Sequence, residues 1–462
     1  MLARSLRLVE AGKQSVDRYV SGTPYLLPLL VSVYASLILS SALYMDTGHF
    51  PAESFSVELP SLTVLAFSYV AVYLPLPLFS KELPRPSYVI VWYAYFVIYV
   101  PTMLMMFLTS GFEFRQLPTL SAIFVAMVLL ASIHRIPLTG LDPGTRRLKE
   151  TVRQSGVRRF WVFLLLSVVL FVTIIHTFVS ISFEVHSFKE VYEVRAAYSA
   201  RLATLSNLKR RIAVYSVRWF YLIAMPALLA IGFVYRDGRS VLFATVGLLM
   251  IYSITAYKSA LFLPVAFVVL WVCLSGDTSL FPTYTVSGLS LFMVLSFAVD
   301  AFMGIYRPLT LVRRFIITPG VHVSYYYEYF RNKQLVLLSD RIFGSPFFEY
   351  PFDRPVPFLI GEHFFNDPGR RVNANLWATG YAQFDVAGIV AFTIILIALL
   401  WLYDSASRNR GIRFTGVLLT GYVMTFANSD PIVAILTNGF GFLIIVAVML
   451  PRGAPTPRSP DS

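Results

Sequence analysis

Apolar residues run through this chain in long blocks divided by short polar joints. The blocks lie at about 24–45, 59–80, 88–109, 118–134, 159–182, 216–235, 239–256, 259–275, 282–304, 384–403, 412–428 and 431–450. Each is long enough to cross roughly 30 Å of hydrocarbon as a helix. Closed barrels also span membranes, but their strands alternate apolar and polar residues. Runs such as FWVFLLLSVVLFVTII, residues 160–175, do not alternate. The pattern predicts an all-α fold, a polytopic transmembrane bundle of about twelve helices.

Two intervals depart from the rhythm. In 188–211, Val191, Val194, Tyr198, Leu202 and Leu205 recur at helical spacing. An amphipathic helix on the membrane surface is expected there, with Arg195 at the edge of its apolar stripe and Lys209, Arg210 and Arg211 at its end. An interfacial linker explains the stripe, but an unpaired charge at its edge is costly. The other interval, 305–383, far exceeds the roughly 15 residues beyond which loops are usually functional or disordered. Its aromatic clusters, SYYYEYF, GSPFFEYPFD and PFLIGEHFF, are opposite to the disordered signature. It is expected to be a large folded external loop, a cap between membrane helices 1–304 and 384–462.

Composition agrees with a membrane protein: 57% of the 462 residues are hydrophobic and 14% charged, with mean hydropathy +0.67. Charge then orients the chain. With the N-terminus in the cytoplasm, the tails and inward joints carry most of the lysine and arginine, and the short outward joints carry Arg115 and Lys258 alone. Both termini are therefore expected inside a cytoplasmic (inner) membrane, with the N-terminal block an uncleaved first helix. The other external cations fall in the two long intervals, seven in about 183–218 and nine in 305–383. A net charge of +13 is thus partly displayed outside, where it suits an anionic ligand.

Other chemistry finds little support in the sequence. Cys273 is the single cysteine, and no GxxxxGK[ST], HExxH or GxGxxG occurs. The six histidines lack metal-ligand spacing. No cofactor, metal or nucleic acid is expected.

The candidate site residues sit at the edges of the cap. Arg307, Arg313 and Arg314 open it; Arg370, Arg371, Asn373 and Asn375 close it, with Tyr381 just beyond. Guanidinium groups bind phosphate oxygens bidentately, which suits a diphosphate. Asparagine offers the donor and acceptor that a sugar hydroxyl needs. It is also a good N-cap, although an apolar block beginning at about 384 favours the substrate role. Asp300 and Lys258 lie where a membrane makes charge expensive, so each needs a polar cavity or a partner. Glu362 and His363 adjoin one another in the cap.

VYEVR, YKSALFLP, and FLIGEHFF followed by NANLWATGYAQFDVAG occur in an order that resembles the Wzy-type O-antigen polymerases, the oligosaccharide repeat-unit polymerases of bacterial surface glycan synthesis. The resemblance covers roughly residues 185–400. In that pattern glycine stands where this chain has Ala256 and Asp385. The resemblance implies a membrane glycosyltransferase acting on the external face. It would move a growing glycan from one polyprenyl diphosphate carrier to the terminal sugar of another carrier-linked repeat unit. Neither nucleotide sugar nor metal is implied. The implied partners are the lipid-linked oligosaccharide, membrane lipid, a chain-length regulator and a flippase. In this scheme Arg313 and Arg314 stabilise the diphosphate leaving group, and Glu362 or Asp300 removes the acceptor proton. Arg195, Lys258, Arg307, His363, Arg370, Arg371, Asn373, Asn375 and Tyr381 bind substrate. The alternatives are an O-antigen ligase, with the same donor and a lipid A-core acceptor, and a flippase or transporter of the lipid-linked oligosaccharide. A flippase would need polar groups through the membrane depth, whereas here they crowd the outer joints.

Overall fold

The computed structural model describes residues 13, 17, 25–46, 60–80, 82–109, 113–138, 171, 190–341, 344–408 and 410–449. The predicted span at 159–182 lies outside them except for Phe171. Every regular element among the described residues is a helix. Seven are long and apolar enough to cross a membrane. They are α1 (Leu26–Asp46), α3 (Tyr88–Leu108), α4 (Leu117–Ala131, with short 3-10 turns at both ends), α6 (Asn207–Val234), α7 (Gly238–Thr255), α9 (Phe281–Met303) and α12 (Leu376–Ala406). Two shorter apolar helices, α2 (Leu62–Tyr73) and α8 (Lys258–Cys273), join them. The helix α5 (Val191–Ala203) forms where the sequence predicts an amphipathic one.

The last two apolar blocks are each broken in two. The first forms α13 (Ile412–Val417) and α14 (Thr420–Asn428); the second forms α15 (Pro431–Leu436) and α16 (Phe440–Met449). Gly439, at φ +75°, makes the second break where a Cβ would stand 2.6 Å from the Trp219 ring.

Tertiary contacts sort the joints into two ends. At one end, Arg85 before α3 donates to the carbonyls of Ile133, His134 and Ile136 after α4, and Arg408 after α12 donates to Leu138. At the other, Tyr44 meets Asp300, Arg331 meets Glu113, and Arg195 meets the carbonyl of Ala256. The candidate residues belong to this second end.

Three sequence expectations change. The segment 188–211 is not one helix: it breaks at 204–206, so Lys209, Arg210 and Arg211 lie in the first turns of α6 rather than at the end of the surface helix. The cap is not built only of short helices. Its first part is α10, formed by Arg307–Val312, a wide π turn at Arg313–Ile317 and Thr318–Phe330 in unbroken succession. This helix packs against both α3 and α12. At Gly320 a Cβ would stand 2.6 Å from the Pro101 carbonyl, so the α10–α3 approach requires a bare backbone. The second cap helix is α11 (Val356–Phe365).

Finally, α12 begins at Leu376, not at 384, because Asn375 caps it. The polar look of its first turns hid this start. Near 384 the helix kinks: Phe384 has φ −144° and ψ 27°, and Asp385 has φ 55° and ψ −145°. A kink frees carbonyls that must find donors. Those of Ala382 and Gln383 accept from Val336 N at 3.0 Å and Leu337 N at 3.2 Å. The buried Gln383 side chain completes the lock, accepting from Leu338 N at 2.6 Å and donating to Asp340 at 3.1 Å.

Candidate functional site

The site is built where α10, α11 and the strand-like approach to α12 converge. Three contacts pin residues 370–373 in place. Val372 N donates to the Pro357 carbonyl at 2.9 Å, and the Tyr326 hydroxyl donates to the Val372 carbonyl at 3.0 Å. The third comes from Gly361, where a Cβ would run into the Arg370 carbonyl, so α11 lies directly on that backbone. This brings the charge of Arg370 to bear on Arg313 of the wide turn. Such π turns often mark functional sites.

The Arg313 guanidinium is pushed down to about 10 by burial, with Arg370 and Arg314 adding repulsion. Arg370 is also lowered by burial, with Tyr325 and Asp367 opposing this. Arg314 is exposed at the rim. The charges of Arg314 and Arg370 therefore bear on a partly desolvated Arg313.

His322 stands in the same field. Burial pushes its imidazole down to about 4, and Arg370, Arg314 and Arg313 push the same way. It is neutral at physiological pH. Its Nδ1 contacts the Asn373 carbonyl, which can only accept, so Nδ1 carries the hydrogen and Nε2 the lone pair. Tyr325, one turn on, is pushed up to about 12 by burial.

Aromatic rings wall this space. Tyr325 stacks on Phe364 at 4.5 Å and meets Phe365 edge-on at 5.5 Å. The Arg370 guanidinium lies 3.6 Å from the Phe365 ring centroid, a cation–π contact that holds the charge flat against the wall. His363 continues the surface, with Phe364 at 4.8 Å and Tyr329 at 5.2 Å.

The sequence candidates divide accordingly. Arg313, Arg314 and Arg370 come together, with the Asn373 backbone bound to His322 and His363 at the aromatic edge. Arg371 is exposed and acts instead on buried Tyr326. Arg307 opens α10, and its side chain lies outside the described residues. Asn375 is fully buried as the cap of α12: its Oδ1 accepts from Trp377 N and Ala378 N, and its Nδ2 donates to the Pro319 carbonyl at 3.0 Å. Its side-chain oxygen and amide are thus engaged within the protein, and the capping role is the one seen. Tyr381 is buried against Tyr327, at 5.6 Å, and interacts with Asp385 and Thr119 rather than with the arginines.

Both carboxylates proposed as base stand apart from the charges acting on His322 and Arg313. Glu362 lies on the exposed face of α11 and pairs with Arg354 at 3.1 Å. Asp300 is buried on α9; its Oδ2 accepts from the Tyr44 hydroxyl at 2.7 Å, and its Oδ1 has no hydrogen-bond partner.

Arg195 and Lys258 form a second group around the α7–α8 joint. Arg195 donates to the Ala256 carbonyl at 2.9 Å and lies 5.9 Å from the Tyr257 ring centroid, while its buried Nε has no hydrogen-bond partner. Lys258 is the half-buried first residue of α8.

His322, Tyr325, Phe364 and Phe365 escaped the sequence reading. Their signal was the 322/325 spacing on one helical face, invisible while 305–383 was read as a cap of short helices. The chain matches no family model, no curated protein and no solved structure.

Proposed function

We propose that this protein is a membrane glycosyltransferase that polymerises polyprenyl diphosphate-linked oligosaccharide repeat units on the external face of the cytoplasmic membrane. One observation carries the reading: Arg370 and Arg314 act electrostatically on a partly desolvated Arg313, and Arg370 lies against an aromatic wall. A diphosphate suits such a concentration of positive charge, and bidentate guanidinium contacts would stabilise it as a leaving group. Phe364, Tyr325, His363 and Tyr329 offer ring surfaces for the adjoining sugars. The carrier's hydrocarbon tail lies among the bundle helices. Twelve spans, cytoplasmic termini and an external segment 305–383 complete the proposed arrangement.

The resemblance to the Wzy-type polymerases gains support from the backbone. Ala256 (φ 52°) and Asp385 (φ 55°), the two positions where the pattern carries glycine, both adopt positive φ, the conformation for which glycine is suited. The separate group around Arg195 and Lys258 suits the polymerase in particular, because such an enzyme handles two diphosphate carriers at once.

The deciding experiment supplies the purified, reconstituted protein with polyprenyl diphosphate-linked repeat units. A ladder of longer lipid-linked glycans is expected. Transfer only to a lipid A-core acceptor would replace polymerase by ligase; movement of intact substrate across the bilayer without elongation would replace it by flippase.

A further inference from the structure

We propose that a track of half-open rings, leading from Arg370 to Phe352, is an oligosaccharide site that holds successive sugars of the carrier-linked glycan, and that its far end makes the protein select glycans by length. This deepens the glycosyltransferase reading and rests on it. The track starts where the Arg370 guanidinium covers Phe365 at 3.6 Å. From Phe365 the ring centroids follow at 5.5 Å to Tyr325, 4.5 Å to Phe364, 4.8 Å to His363, 5.2 Å to Tyr329 and 6.4 Å to Phe352. Two helices build it. Tyr325 and Tyr329 lie one turn apart on α10, and His363, Phe364 and Phe365 end α11, so neither helix forms it alone.

Exposure separates this run from the ring clusters of the core. In α3, Trp92, Tyr95, Phe96 and Tyr99 also touch one another, but each is at most 3% exposed, and the Tyr95 and Tyr99 hydroxyls are spent on the carbonyls of Val72 and Ala71. Along the track, Tyr325, Tyr329, Phe352, Phe364 and Phe365 are half-buried and His363 is exposed. Rings left half open forfeit part of the burial that would stabilise the fold. Their tilts matter as well. Tyr325 stacks on Phe364, but His363 stands at 87° to Phe364 and Tyr329 at 76° to His363. A continuous stack would consume both faces of every ring, whereas steeply turned neighbours leave ring surface for the apolar faces of sugars.

Polar groups flank the far end. Arg354, two residues beyond Phe352, pairs with Glu362 at 3.1 Å and with Asp353 at 3.6 Å, and its carbonyl accepts from the Tyr350 hydroxyl at 2.8 Å. These groups offer the donors and acceptors that sugar hydroxyls require. They also exclude the carrier's hydrocarbon tail, which would strip water from the ion pairs and return no hydrogen bonds. With its diphosphate at Arg370, a glycan sets its first sugar by Phe365 and Phe364 and its later ones by Tyr329 and Phe352. Short glycans leave the far rings empty, so affinity rises with the number of sugars until the track is filled.

Binding to the full-length protein in lipid nanodiscs tests the track with three probes: carrier-linked repeat units extracted from the source cells, the same carriers trimmed by exoglycosidases to their first sugar, and sugar-free polyprenyl diphosphate. Wild type should bind the whole repeat unit roughly tenfold tighter than the trimmed carrier. Tyr329→Ala and Phe352→Ala should lose that preference and bind the sugar-free diphosphate as wild type does; Tyr329→Phe, which keeps the ring, should retain it. Where an alanine variant melts early, Tyr329→Leu and Phe352→Leu keep the apolar bulk without the flat ring and should show the same loss. Equal wild-type affinity for whole and trimmed carriers, with sugar-free binding intact, overturns the track and leaves the diphosphate reading standing. A preference that survives in the folded Tyr329 and Phe352 variants places the sugars elsewhere and overturns the track. Failure of the folded wild type to bind any of the three probes overturns the reading beneath it as well.

Discussion

Ala256 and Asp385 hold backbone conformations in which a Cβ is strained. Ala256 ends α7 at φ 52° and ψ 29°, and its carbonyl receives Arg195. Left-handed geometry costs a non-glycine residue roughly 1–2 kcal/mol, partly offset by the roughly 0.4–1 kcal/mol of chain entropy that a new glycine adds to the unfolded state. Ala256→Gly should therefore stabilise by about 0.5–1 kcal/mol, read as a higher unfolding midpoint in detergent. Asp385, at φ 55° and ψ −145°, lies in a region that glycine almost alone occupies. Asp385→Gly should gain more, less whatever its contact with Tyr381 contributes. Asn375 works in the opposite direction. Asn375→Ala strands two buried amide donors and the Pro319 carbonyl, a loss of about 2 kcal/mol. Unchanged melting with lost activity would instead return Asn375 to the substrate.

At the scale of elements, α10 determines where the site is. Its approach to α3 depends on Gly320, two residues before His322, where the nearest atoms are Pro101 backbone and cannot swing aside. Gly320→Ala should push α10 outward and cost about 1–3 kcal/mol, and diphosphate binding should weaken with it because Arg313 and Arg314 ride on the same helix. Wild-type melting and binding in this variant would mean that the two helices are not in register contact. The kink in α12 is held comparably, by the backbone of 336–338 and by the Gln383 side chain. Gly380 and Gly388 abut across it, each with the other's carbonyl where a Cβ would go.

Across the whole molecule, the two ends use arginine differently. At the end away from the site, Arg85 and Arg410 are buried and bind backbone carbonyls, closing helix ends. At the site end, Arg314 and Arg370 act electrostatically on Arg313. Arginine-to-lysine changes at these three should each reduce turnover about tenfold, and changes to glutamine about a hundredfold, as expected when a charge-stabilising donor is lost. Glu362→Gln should stay near wild type, since its carboxylate is exposed and paired with Arg354. If Glu362→Gln abolishes elongation while the arginine variants retain it, the site lies on the other face of α11.

Helical class, membrane character and the basic ends of the cap were legible in the sequence, because hydropathy, periodicity and charge are properties of neighbouring residues. Arg313, Arg314 and Arg370 could be named there as candidates from the chemistry of their side chains. Their common setting was not legible, since Arg313 and Arg370 are distant in the chain and come under each other's influence only where α10 and α11 pin residues 370–373. The start of α12 was missed for a related reason: NANLWATGY reads as polar, and only burial of Asn375 against Pro319 reveals a cap. His322 was the least visible of all. Its tautomer is fixed by the Asn373 carbonyl, which comes from a segment that packing alone brings to it.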